Sequence, residues 1–150
     1  MGPAISGPFD FSELNMANEK PGEKPRVLVV DDDTLMREIL KAILRSEGFE
    51  VVGEAQDGQT ALTQVGRLNP EVVCLDVNMP GMSGLEVLKS IQSAAPGTKV
   101  VMITGDSSMT TVREAIGFGA CGYIIKPFNA ARVAETLRAA LKGPGDSPFS

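Results

Sequence analysis

Three consecutive acids, Asp31, Asp32 and Asp33, follow one apolar run, and a single carboxylate, Asp76, closes another. Thr104 and Gly105 end a third apolar run, and Lys126, with Pro127 after it, ends a fourth. Carboxylates held within a few ångströms repel, so one must take up a proton or a cation must bind among them. Donors that are all oxygen suit a hard divalent ion, and Mg2+ takes one or two carboxylates together with a phosphate. A lysine beside such a pocket can neutralise it and pair with a phosphoryl oxygen as a point charge. The Thr104 hydroxyl can donate to the same anion, and Gly105 lets a backbone N–H come close to it. These parts assemble into phosphoryl transfer onto a carboxylate. Its nucleophile is Asp76, the acid that stands apart from the metal-binding pair.

Each residue also has a plainer account. Aspartates before a helix cap its free amides and complement its dipole, which covers one or two of the three acids. It does not cover an acid from a different strand aimed at the same place. Lys126 could be a surface lysine whose stem lies along apolar neighbours. Thr104 could be an ordinary β-branched strand residue.

The elements that must bring these residues together follow from periodicity. Strands are expected at 26–30, 50–55, 71–76, 99–104 and 121–126, and helices at 34–48, 58–68, 83–95, 109–119 and 129–143. In the first helix Leu35, Ile39, Ile43 and Leu44 form the apolar stripe, with Gly48 closing it, and Asn129 caps the last helix. Strands and helices alternating on short links predict a parallel α/β sheet covered on both faces. Ligands bind such sheets at the carboxyl ends of the strands, where all the residues above lie. The Pro-Gly turn after Asp76 is expected to lead the chain away and leave its carboxylate accessible.

The chain has 150 residues, 43% hydrophobic and 22% charged, which suits one globular domain at 25–143 between a leader, 1–24, and a tail, 144–150. Phe9–Met16 reads either as a short amphipathic docking element or as part of an unstructured leader. The net charge of −5 and the lack of a Lys/Arg run argue against direct nucleic-acid binding. No apolar run approaches the roughly 18 residues of a membrane span, and no signal peptide opens the chain, so a cytoplasmic protein is expected. With no histidine there is no His-based metal site and no phosphohistidine on this chain. Cys74 and Cys121 read as packed free thiols with no zinc spacing.

VLVVDDDTLMR, CLDVNMPGMSGLEVL, VVMITGD and GYIIKPF, in this order and at these separations, resemble the CheY-like receiver domain of two-component response regulators. The likeness covers about residues 25 to 142. It implies a single doubly wound, flavodoxin-like (βα)5 domain with a parallel sheet of order 2-1-3-4-5. It implies Asp76 as phosphoacceptor, Asp31 and Asp32 as the pair that holds Mg2+ together with Asp76, and the Asn78 backbone carbonyl as a further ligand. Thr104 matches the switch hydroxyl, Lys126 the phosphate-binding lysine, and Tyr123 the aromatic whose rotamer reports activation. Asp33 falls at a variable position and is left as a helix cap. A cis peptide is implied between Lys126 and Pro127.

The partners implied are a histidine kinase or histidine phosphotransfer protein as donor. Downstream, a target protein engages the face of the fourth helix, fifth strand and fifth helix, and the likeness admits a phosphorylation-dependent dimer. Ala130, Ala131 and Ala134 suit that face if exposed, and Asn78 and Asp106 flank the path of a hydrolytic water. Such a domain is a phosphoacceptor that assists its own phosphorylation and dephosphorylation rather than an enzyme. A phosphohydrolase of the haloacid-dehalogenase type is the enzymatic alternative. VVDDDTL nearly supplies its D-x-D-x-T, but Leu35 stands where threonine is needed. An unphosphorylated receiver-like interaction module would lack a key site residue, and none is lacking.

Overall fold

The structure is a computed structural model and describes residues 23–143. The expected leader and tail lie outside the described residues, apart from Glu23 and Lys24. The elements are β1 (Arg26–Val30), α1 (Thr34–Ser46), β2 (Glu50–Ala55), α2 (Gly58–Leu68), β3 (Val72–Leu75), α3 (Gly84–Ala94), β4 (Lys99–Thr104), α4 (Met109–Gly117), β5 (Gly122–Ile125) and α5 (Ala130–Lys142). All strand pairings are parallel, in the order β2–β1–β3–β4–β5. The order reverses direction at β1 and β3, so the crevice beyond their carboxyl ends is the topological switch point where such sheets bind ligands.

Side chains alternate across each strand, and this divides the interior in two. Val27, Val29, Val72, Cys74, Val101, Ile103 and Ile124 pack beneath α1 and α5, against Leu40, Leu44, Val133 and Leu137. Leu28, Val30, Val73, Leu75, Val100 and Met102 pack beneath α2, α3 and α4, against Ala61, Val65, Val87, Leu88 and Ile91. A central parallel strand is covered on both faces, which is why VVCL is apolar at every position. Each completely buried leucine of the sheet, such as Leu28 or Leu75, contributes about 1.5–3 kcal/mol. The strand ends are therefore held firmly.

Local chemistry sets the boundaries. Asp33 caps α1 through the Leu35 and Met36 amides, and Asn129 caps α5 through that of Arg132. Ser83 and Glu86 form a reciprocal capping box at the start of α3. Gly48 follows α1 at a φ of 92°, a conformation that glycine adopts without strain. No described helix is long and apolar enough to cross a membrane. The Cys74 thiol is buried, which pushes its pKa up to about 12. Cys121 is half-buried, and both thiols are free.

Two expectations about helix faces need correction. Leu35 and Ile39 are 68% and 40% exposed, and the buried face of α1 is instead Leu40 and Leu44, with Met36 and Ile43 packed beside them. Apolar residues occupy two adjacent lines of this helix, and only contact with the sheet selects the line through 36 and 40. On α5, Ala134 is buried and Ala130 half-buried, leaving Ala131 alone of the three exposed.

Candidate functional site

Asp76 and Lys126 each stand one residue beyond a strand, yet both remain pinned by a ladder-like bond. The Asp76 N–H donates to the Val30 carbonyl at 3.1 Å, and the Lys126 N–H to that of Thr104 at 2.8 Å. Asp31 follows β1 directly, and its N–H donates to the Ala55 carbonyl of β2 at 3.1 Å. Three backbone bonds to neighbouring strands thus aim these side chains at one point.

There the Lys126 ammonium lies 2.8 Å from Asp31 Oδ2 and 3.1 Å from Asp76 Oδ2. The other oxygens are held by backbone: Asp31 Oδ1 accepts from the Asp33 N–H at 2.9 Å, and Asp76 Oδ1 from the Asn78 N–H at 3.2 Å. Asp32 is exposed at the rim, and oxygens of Asp31, Asp32 and Asp76 lie within 4.8 Å of one another. Asp33 points away and caps α1, as expected. The Asp76 side chain is only 8% exposed, against the expected accessible carboxylate, because the ammonium lies across it.

Burial pushes the Asp31 carboxyl up, and the hydrogen bond from Lys126 offsets that only in part. Burial alone would lower the Lys126 ammonium, but Asp31 and Asp76 outweigh it and raise its pKa. Lys126 therefore stays protonated as a fixed cation. A carboxyl whose pKa rises on folding adds stability below its unfolded value, near 3.8, and loses it as the pH climbs through the folded value. In the absence of divalent ions, Asp31→Asn should accordingly melt at a higher temperature than the parent at neutral pH. That advantage should shrink as the pH falls toward 3.8, which calorimetry across a pH series checks.

Three carboxylates against one ammonium leave the pocket with excess negative charge, and the donor set is entirely oxygen. That composition fits a hard divalent cation and not a soft one. Asp31, Asp32 and Asp76 are the side chains that could hold it. The exposed Asn78 accepts no hydrogen bond at its carbonyl among the described residues, leaving that oxygen free to join them.

Thr104 is completely buried, and its hydroxyl accepts from the Asp106 N–H at 3.2 Å. The Tyr123 hydroxyl, from the inward-packed ring, donates to the carbonyl of the same Asp106. Burial, then the charges of Asp106 and Asp76, push the Tyr123 phenol up to about 12, so it remains a donor. One residue of the β4–α4 loop thus joins Thr104 to Tyr123. The Asp106 carboxylate is engaged by the Ser108 N–H and the Thr111 hydroxyl, each at 3.0 Å, so it braces the start of α4. Gly105 is exposed, and apart from its chain neighbours no protein atom lies within 4 Å of where a Cβ would be. The Lys126–Pro127 peptide is cis, as expected.

Two contributors escaped the sequence reading. Gly84, the first residue of α3, leaves no room for a side chain, since a Cβ there would lie 2.0 Å from the Asp76 carbonyl oxygen. Its signal was a glycine where a helix would favour almost any other residue. Arg37 donates to the Asp31 carbonyl at 2.7 Å and to Glu54 at 2.8 Å, a partner 17 residues away with no local signature.

Residues 27–138 match the response regulator receiver domain family. The chain is 40% identical over 112 residues to the chemotaxis protein CheY of Thermotoga maritima, covering 75% of this chain and 93% of that one. It is 39% identical over 127 residues to the DNA-binding response regulator MtrA of Mycobacterium tuberculosis, covering 83% of this chain. It spans only 54% of MtrA's length. Among solved structures, the response regulator domain of Thermotoga maritima CheB superposes with a TM-score of 0.76 at 34% identity, covering 81% and 99% of the two chains. A CheX–CheY–BeF3–Mg2+ complex from Borrelia burgdorferi gives 0.76 at 31% identity, covering 80% and 91%. With residues 27–138 matching that family and the fold shared with these solved structures, the chain belongs to the CheY-like receiver domain family of response regulators.

Proposed function

We propose that this protein is a phosphorylation-driven signalling switch that accepts a phosphoryl group on Asp76. The observation that carries the reading is the meeting of Asp31, Asp32, Asp76 and the Lys126 ammonium at one sheet edge in a receiver-family chain. The donor is a phosphohistidine of a histidine kinase or histidine phosphotransfer protein. An Asp76 carboxylate oxygen forms a bond to phosphorus as the phosphorus–nitrogen bond breaks, and the released imidazole takes a proton from water. Asp31, Asp32, Asp76 and the Asn78 carbonyl would hold a Mg2+ ion, which when bound would supply charge neutralisation for the transfer. Lys126, held protonated, exchanges its carboxylate partners for a phosphoryl oxygen, and Gly105 offers its N–H.

Thr104 connects the site to the surface. Its hydroxyl, turning to donate to the phosphoryl group, would release the Asp106 N–H and loosen the loop that also holds Tyr123. A full reversal of a two-state balance from 1:99 to 99:1 requires about 5.5 kcal/mol. One charge-assisted hydrogen bond supplies about 1.5–3 kcal/mol, so partner binding at the α4–β5–α5 face completes the shift. That face carries the exposed Met109, Ile116 and Ile125, suited to a target protein or a second phosphorylated copy. Leu35 and Ile39, exposed on α1 next to the acids, suit the approaching donor. The Borrelia complex, in which a CheY is combined with CheX, BeF3 and Mg2+, supports a protein partner and the metal. The reading places the protein in the cytoplasm, where such donors act, and gives it no direct nucleic-acid role.

Incubation with acetyl phosphate and Mg2+, followed by intact mass spectrometry, tests this directly. The parent should gain one phosphoryl group, whereas Asp76→Asn, or the parent in excess EDTA, should gain none. Labelling that persists in Asp76→Asn would transfer the acceptor role elsewhere. Steady turnover of a phosphomonoester through Asp31 would favour the phosphohydrolase alternative instead.

A further inference from the structure

The acids of the β1–α1 loop are held from the side by a cation that the reading above leaves unused. Arg37 lies in the first turns of α1, and helical side chains tilt back toward the helix N-terminus, so its guanidinium reaches over the loop. One nitrogen donates to the Asp31 carbonyl at 2.7 Å, another to the Thr34 hydroxyl at 3.3 Å, and Nε to Glu54 of β2 at 2.8 Å. The Arg37 side chain is only 11% exposed. Glu54 is itself fixed, because its second oxygen pairs with Lys41 at 2.7 Å, and Lys41 also pairs with Glu38 at 2.8 Å. The Asp31 peptide is therefore gripped on both sides by β2: its N–H goes to the Ala55 carbonyl, and its C=O to Arg37, which Glu54 holds in place.

We infer that Arg37, braced by Glu54, is a positioning residue that sets the geometry of the Asp31–Asp32 pair for a divalent cation. The inference rests on the proposed Mg2+ site and adds to it a supporting residue from α1 and a brace from β2. Its sign separates it from simple electrostatics. A positive charge near a cation site weakens binding, so a purely electrostatic Arg37 predicts tighter Mg2+ when the charge is removed. Positioning predicts the opposite. Arg37→Lys is the sharper variant, since it keeps the charge but cannot span the Asp31 carbonyl and Glu54 with a rigid fork.

The experiment is a Mg2+ titration of the full chain, following the backbone amides of Asp31, Asp32 and Asp33 by NMR well below the melting temperature. The parent should show saturable shifts. Arg37→Lys and Arg37→Met should each weaken binding by about tenfold, the lower end of what supporting residues around metal sites contribute. Glu54→Gln, which keeps an acceptor for Nε, should lie between these variants and the parent, whereas Glu54→Leu should resemble Arg37→Lys. Equal or tighter binding in the Arg37 variants, with the parent titrating normally, overturns the positioning role and leaves the metal site standing. A parent whose loop amides do not respond to Mg2+ overturns both.

Discussion

Replacing Lys126 with methionine is expected to lower the stability of the divalent-free protein and to make that stability depend steeply on Mg2+. Methionine keeps the apolar length of the stem and removes only the charged head, so the change isolates the ammonium. Its loss leaves Asp31 and Asp76, both nearly enclosed, without the cation 2.8 and 3.1 Å away. Removing one partner of a fully buried pair costs about 3–5 kcal/mol. The Lys126 side chain is 20% exposed, so water can partly replace it, and about 2 kcal/mol is the better expectation. Calorimetry should record this as a melting temperature roughly 5–10 °C lower.

Adding Mg2+ should then narrow the gap. In the parent the metal enters a pocket that already contains an ammonium. In Lys126→Met it meets uncompensated carboxylates and should bind more tightly. Saturation at 100 times the dissociation constant adds about 2.7 kcal/mol to any folded state that binds and unfolded state that does not. A variant as stable as the parent, with no greater response to Mg2+, would show that the acids are not electrostatically loaded.

Gly84→Ala is the second change with a large expected effect, for a steric reason. The new methyl would lie 2.0 Å from the Asp76 carbonyl oxygen and 2.8 Å from Asp76 C and Val77 Cα. All three are backbone atoms, which cannot swing aside as a side-chain tip can. The Gly84 N–H also donates to the Val77 carbonyl at 2.8 Å, so α3 is bonded to the very loop it would have to leave. Overpacking of this kind costs about 1–3 kcal/mol, and the upper end applies where both surfaces are backbone. The displaced group is the proposed phosphoacceptor, and a shift of about 1 Å can reduce a rate by 10²-fold. Labelling by acetyl phosphate should therefore slow far more than the stability loss implies. Gly66→Ala is the control. That glycine lies exposed within α2 with nothing within 4 Å, so alanine there should stabilise by about 0.5–1 kcal/mol and leave labelling unchanged.

These two residues differ in how far the sequence revealed them. Lys126 was legible because it ends an apolar run before a proline, and strand ends are where parallel sheets present chemistry. Gly84 was not, because its reason is the Asp76 carbonyl pressed against it, a contact made by the returning loop. The same contrast runs through α1. Asp33 was readable as a cap, since capping is satisfied within four residues. The buried line of that helix was misread, since Leu35–Ile39 and Met36–Leu40 are both apolar lines and only the sheet beneath decides between them.

The alternation of five strands with five helices, and the placing of Asp31, Asp32, Asp76, Thr104 and Lys126 at strand ends, were determined by the sequence alone. Periodicity and end signals act over a few residues, and each element's own pattern is enough to specify it. Tertiary structure decided what lies between those elements. It laid Lys126 across Asp76 and Asp31, 50 and 95 residues away in the chain, and so enclosed a carboxylate expected to be open. It also brought Arg37 to Glu54 and tied Tyr123 to Asp106. Such contacts depend on the distance and rotation of one packed element relative to another, quantities that no short stretch of sequence contains.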